Sequence, residues 1–180
     1  PLCKTIIFQD ITLYTVKAIL ILDNDGNRLL VKYYGDTFPT AKEQNRFEKD
    51  LFNKMHKSNA EVILLDGLTC LYRASVDLNF CVIGNARENE LLLLSVLNTL
   101  FESVSQILRK EVEKRTFLEH YDSILLAVDE ICDAGVVIQS DPAEVVLRAG
   151  VRGDELSLGE QTMAQVIQSA RDQLKWSLLK

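Results

Sequence analysis

What this chain lacks narrows its function more than what it contains. It has no CxxC pair, and its two histidines, His56 and His120, lie near none of the four cysteines, Cys3, Cys70, Cys81 and Cys132. A zinc site needs about four soft ligands at short spacings, so no metal is expected. The thiols read as reduced, as in cytosolic proteins. No run of Lys or Arg occurs, and the formal net charge is −6. Phosphate binding needs a positive stripe, so nucleic acid is not the expected partner. No apolar run approaches the roughly 18 residues of a membrane span. The opening PLCKTIIFQD is too short an apolar stretch for a signal-peptide core. There is no Asn-x-Ser/Thr acceptor for glycosylation. These absences point to a cytosolic chain that meets membranes only through partners or a surface helix.

Catalytic signatures are missing too. There is no GxxxxGK[ST], no GxGxxG and no GxSxG. Asp23-Asn24-Asp25-Gly26 has the look of a calcium loop. With Gly26 in sixth place, however, the first ligand position holds Ile21, and the oxygen cage cannot close. Arg152-Gly153-Asp154 matches an adhesion tripeptide, but nothing else in the sequence marks a secreted chain. Every cysteine except Cys3 falls inside an expected element, where inert thiols belong. No enzyme and no cofactor are expected.

What is present is an ordered series of α and β signals. Leu13 to Leu22 is rich in strand formers and runs into Asp25-Gly26, the signal of a tight hairpin; Arg28 to Tyr34 reads as the return strand. Thr40 and Glu43 form a capping box. The helix it opens carries Phe47, Leu51, Phe52 and Met55 on one face, with Lys42, Glu48, Lys49 and Lys54 elsewhere. Three strands follow, Glu61 to Leu65, Leu68 to Ser75 and Leu78 to Gly84, joined by links too short for anything but antiparallel pairing. Val62 to Leu65 and Phe80 to Ile83 are apolar without alternation, which predicts burial on both faces and helices on both sides of the sheet.

Asn89 is the expected N-cap of a long buried helix reaching about Lys110. Thr116 and Glu119 read as a second capping box for a helix through Ile131, with Gly135 as its C-terminal cap. Asp141-Pro142-Ala143-Glu144 is a helix start, and that helix should end near Gly150. Val151 to Gly159 reads as a linker. A last amphipathic helix follows from about Glu160, with Met163, Val166, Ile167, Ala170, Leu174 and Leu178 on one side.

Candidate partner-binding residues come from exposed aromatics and from this tail. Tyr33, Tyr34 and Phe38 cluster at the exit of the second strand, where packing competes with partner binding as their role. Trp176 stands in the last helix, which either docks on its own domain or takes a partner. Tyr72 and Arg73 belong to a motif taken up next.

The order β-β-α-β-β-β-α-α resembles the longin-like fold of the clathrin-adaptor small chains. The residues carry the likeness to the zeta chains of the coatomer vesicle coat. LYTVKAILILDNDGNRLLVKYY at Leu13 to Tyr34, KEQ at Lys42 to Gln44 and FEK at Phe47 to Lys49 are similar to those chains. So are ENELLLLSVL at Glu88 to Leu97, AVDEI at Ala127 to Ile131 and QSDP at Gln139 to Pro142. The tail QSARDQLKWSLLK from Gln168 resembles the zeta C-terminus, which other small chains lack. The general small-chain signature reads here Cys70-Leu71-Tyr72-Arg73, four residues, Leu78-Asn79-Phe80; Cys70 and Asn79 depart from it.

The resemblance implies an α+β domain over 13–150, with a five-stranded antiparallel sheet between helices. An extension over 1–12 precedes it, and a linker with a C-terminal amphipathic helix over 151–180 follows. It implies a non-catalytic subunit that scaffolds a large coat chain, the coatomer gamma subunit. That coat serves Golgi-to-ER and intra-Golgi transport and is recruited to Golgi membranes by an Arf-class GTPase. The alternative is a longin-type module that binds cargo sorting signals or a small GTPase.

Overall fold

The sheet grows from one tight turn. The computed structural model describes residues 15–57 and 61–150. In it β1 (Val16–Asp23) and β2 (Arg28–Tyr33) form the expected hairpin. Gly26 takes φ +78°, and the Phe52 ring lies 2.9 Å from where a Cβ would stand, so both conformation and space require glycine there. The Asp23 carboxylate closes the turn by accepting from the backbone N–H of Asp25 (3.0 Å) and Asn27 (2.7 Å).

β3 (Val62–Leu65), β4 (Leu68–Ala74) and β5 (Leu78–Asn85) complete an antiparallel sheet of order β2-β1-β5-β4-β3. Strand alternation sends Ile19, Ile21, Phe80 and Val82 to one face and Ala18, Leu20, Leu22, Cys81 and Ile83 to the other. The second face is covered by a single helix, α1 (Ala41–Lys57), through Phe47, Leu51 and Met55. Its capping box forms as read: Thr40 N–H donates to Glu43 Oε2 at 3.2 Å and Glu43 N–H to Thr40 Oγ1 at 3.3 Å.

The first face carries α2 (Glu90–Ile107), α3 (Lys114–Glu119), α4 (Tyr121–Ile131) and α5 (142–150). Asn89 caps α2 by accepting from Leu91 N–H at 3.0 Å, and Asp141 accepts from Ala143 N–H at 3.0 Å at the start of α5. The architecture is therefore the expected one, a five-stranded sheet with helices on both faces.

Four local expectations are corrected. Val62 to Leu65 is not buried on both faces: Ile63 and Leu65 point into the α1 layer, while Val62 and Leu64 are 42% and 63% exposed. The reason is position, since β3 is an edge strand and α2 packs over β4 and β5 without reaching it. Thr116 and Glu119 form no capping box, because α3 starts earlier and is capped from another element. Lys114 N–H donates to both Asp77 carboxylate oxygens, at 3.0 and 2.9 Å. Gly135 does not cap a helix. It turns a small hairpin between β6 (Cys132–Asp133) and β7 (Val136–Val137), where a Cβ would meet Val16 O at 2.7 Å. Glu48, expected on the solvent side of α1, is buried. The extension over 1–12, the linker, the last amphipathic helix and Trp176 lie outside the described residues.

One buried carboxylate joins these parts. Asp23, 2% exposed, also accepts from Lys114 Nζ at 2.7 Å and from Asn27 Nδ2 at 3.0 Å. Burial alone would raise its pKa, but the Lys114 ammonium and the Asn27 and Asp25 donors outweigh it. They bring the carboxyl from its ordinary 3.8 down to about 2. A depressed carboxylate contributes stability above its unfolded pKa and loses it as pH falls through the folded one. Between about pH 4 and pH 2 the domain is therefore expected to lose at most about 2 kcal/mol through this group. Urea unfolding midpoints measured across that range should fall more steeply for the natural chain than for Asp23→Asn; parallel curves would refute the role.

Candidate partner-binding surface

The bare face of β3 and the flank of α2 together make a groove. Val62 on β3, Leu71 on β4, and Leu91, Leu94 and Leu97 on α2 line it, with Glu61, Glu90 and Arg73 at its rim. Its volume is about 660 Å³. Leu91 and Leu94 are 73% and 39% exposed, one helical turn apart. Leu64, two residues along β3 from Val62, extends the same apolar strip.

A second exposed patch sits at the end of the sheet where β4 turns into β5. Val76, in that turn, is 77% exposed, and Leu118 of α3 is 54% exposed. The turn and the start of α3 are tied together by Ser75 Oγ, 3.4 Å from Val112 O, and by the Asp77 cap.

Among the described residues no cluster of three or more His, Cys, Asp or Glu side chains is placed to hold a metal ion. Cys70, Cys81 and Cys132 are buried and unpaired. The adjacent Cys81 thiol and burial push the Cys70 thiol well up, and burial raises Cys132 to about 11, so neither thiol ionises readily. No helix among the described residues is long and apolar enough to cross a membrane.

These surfaces sit on a chain with extensive relatives. Residues 15–155 match the family model of the clathrin adaptor complex small chain. Human coatomer subunit zeta-1 is 59% identical over 169 residues, covering 94% of this chain and 96% of that one. Human coatomer subunit zeta-2 is 53% identical over 172 residues, covering 96% of this chain and 82% of that one. Arabidopsis thaliana coatomer subunit zeta-1 is 43% identical over 171 residues, covering 92% and 97%. This chain belongs to the clathrin adaptor small-chain family, in its coatomer zeta branch. The fold agrees. A chain in a homology model of the full-length AP-3 complex, in a stretched open conformation, superposes with a TM-score of 0.60. It does so at 18% identity, over 83% of this chain and 98% of that one.

Within this small-chain fold, the candidate residues read from the sequence separate. Tyr33 and Phe38 do not share a surface with Tyr34, because adjacent strand residues point to opposite faces. Tyr33 packs edge-on against Phe38 (5.3 Å between centroids), and Phe38 lies against Phe47 of α1 at 4.6 Å. Tyr34 packs against the first face and donates to Cys132 O at 3.2 Å. Burial raises the pKa of both tyrosines, so both stay protonated donors. Tyr72 and Arg73 do come together at the groove, although their side chains diverge. The Tyr72 ring packs toward α1, and the Arg73 guanidinium lies 3.7 Å over the Phe101 ring.

The groove itself escaped the sequence reading. Its signal lies in Leu91 and Leu94, which fall off the main buried stripe of α2, whereas the unbroken apolar run of Val62 to Leu65 predicts core.

Glu48 shows why Tyr33 is fixed inward. It is 4% exposed, accepts from Tyr33 Oη at 2.8 Å and pairs with Arg28, so one carboxylate locks β2 to α1. Arg28 keeps partial access to water and can rehydrate. Glu48→Ala is expected to cost about 1–3 kcal/mol, the range for losing hydrogen bonds to a charged group. Tyr33→Phe should cost no more than about 1.5 kcal/mol. Thermal unfolding of both variants checks the order; equal losses would show that Glu48 is not the lock.

Proposed function

We propose that this chain is a non-catalytic subunit of the coatomer vesicle coat, a scaffold held by a large gamma-type chain. It then serves Golgi-to-ER and intra-Golgi transport, and reaches Golgi membranes only through a complex recruited by an Arf-class GTPase. The observation that carries the reading is near full-length identity to coatomer zeta chains. The physical case is complementary. The described part of the chain exposes apolar residues such as Val62, Leu64, Val76, Leu91 and Leu118, which supports a role through surface contact.

The patch at the β4–β5 turn suits a large partner. Val76 and Leu118 are strongly exposed aliphatics on two elements tied together by the Asp77 cap. Exposed apolar patches rimmed by polar groups mark protein–protein contact sites. Tyr72, beside Arg73, acts in this reading by holding β4 in place against α1.

The test is co-expression of the full chain with a coatomer gamma chain, followed by capture. The natural chain should recover the large chain in equal proportion. The double variant Val76→Asp, Leu118→Asp should weaken recovery at least about tenfold while unfolding at the same temperature, as expected when interface anchors are charged. Failure of the natural chain to recover any large coat chain would overturn the reading. Unchanged recovery by the variant would remove this patch from the interface.

A further inference from the structure

On the α2 side of the sheet the helical layer is one helix short. Five strands spaced at about 4.8 Å span roughly 19 Å between outer strand axes, and a helix with its side chains is about 10 Å across. α2 lies over β4 and β5. α4 reaches the β2 side, where Asp129 pairs with Lys32. α5 adds Val145 and Ala149 to the same core, with Arg148 3.7 Å from Glu130 of α4. On this side no described helix buries Val62 and Leu64, so these two residues with Leu91 and Leu94 flank an open groove.

The chain holds one amphipathic stretch not yet used. Residues 160–178 place Met163, Val166, Ile167, Ala170 and Leu174 along one helical side, with Arg171 and Lys175 near its end. At about 1.5 Å per residue such a helix is about as long as α2. The connection is nine residues long. α5 belongs to the same layer, and its first turn at Pro142 lies beside Leu91 and Leu94 on the outer flank of α2. From position 150, residues 151–159 can span up to about 30 Å.

We propose that residues 160–178 of this chain pack as a helix into the groove between β3 and α2, as the missing member of the helical layer. The contact is intramolecular and needs no partner, so it stands apart from the coat reading.

Hydrogen exchange should be measured on the full chain alone, over a wide range of dilution. Amides of 163–174 should exchange at least about tenfold slower than an unstructured peptide, independent of concentration. Leu94→Asp should abolish that protection, with protection of β1 and β5 unchanged. Val76→Asp, outside the groove, should leave it in place. Val62→Asp serves as a second groove variant if Leu94→Asp disturbs α2. Three results overturn the proposal: an unprotected segment in the natural chain, protection that survives both groove variants, or protection that disappears on dilution, which would mean a second copy is the occupant.

Discussion

The requirement that both faces of one sheet be kept from water organises this molecule. β1 and β5 sit side by side at its centre, and nearly every residue of both is buried. Each buried aliphatic there contributes about 1.5–3 kcal/mol relative to exposure, so no other feature of the chain competes with the sheet as a source of stability. The two faces are covered unequally. One has a single helix, α1, and the spaces beside it are filled by Tyr33, Phe38 and Tyr72. The other has a group of helices that stops short of β3. The fate of each aromatic and of each edge residue follows from that inequality.

Carboxylates hold the layers in register. Asp23 receives Lys114 from α3 while closing its own hairpin, and Asp77 caps the same α3 from the β4–β5 turn. Glu48 does the equivalent on the other face, joining α1 to Tyr33 and Arg28 of β2. Asp23 and Glu48 are buried and Asp77 half-buried; a buried carboxylate is costly without donors, and each of these three binds a donor from an element distant in sequence. They act as positional locks more than as sources of net stability, because desolvation offsets much of the attraction.

That distinction also explains what the sequence revealed. The Asp-Gly hairpin, the Thr40–Glu43 box, the Asn89 cap and the Asp141-Pro142 start are set by neighbours within four residues, and each appears where it was read. The antiparallel pairing of β3, β4 and β5 could be anticipated because their short links leave one way to pair, whereas the placing of β5 beside β1 was not legible. The misread positions depend on chain segments far away. Thr116 looks like a cap until Asp77 arrives to cap Lys114 instead. Gly135 looks like a helix stop, but the constraint on it is the backbone of Val16. Glu48 sits among charged neighbours on α1 and is buried by Arg28 and Tyr33. The groove was illegible for the same reason: four apolar residues in a strand look identical whether or not a helix lies above them.

The uncovered strand also bears on what kind of element can fill the gap. An edge strand normally invites another strand, through its row of unpaired backbone groups. Here that route is obstructed. β3 is only four residues long, and Lys54 from α1 donates to Leu64 O at 3.0 Å. In this register Tyr72 N–H bonds Glu61 O, so alternation turns the Leu64 carbonyl outward, to the open edge. A lysine on the outward carbonyl of a short edge strand opposes strand addition. The face of β3 is left with the opposite character, since Val62 and Leu64 are apolar, exposed and flanked by the leucines of α2. An edge closed to strands beside a face open to apolar side chains selects a helix lying across the sheet.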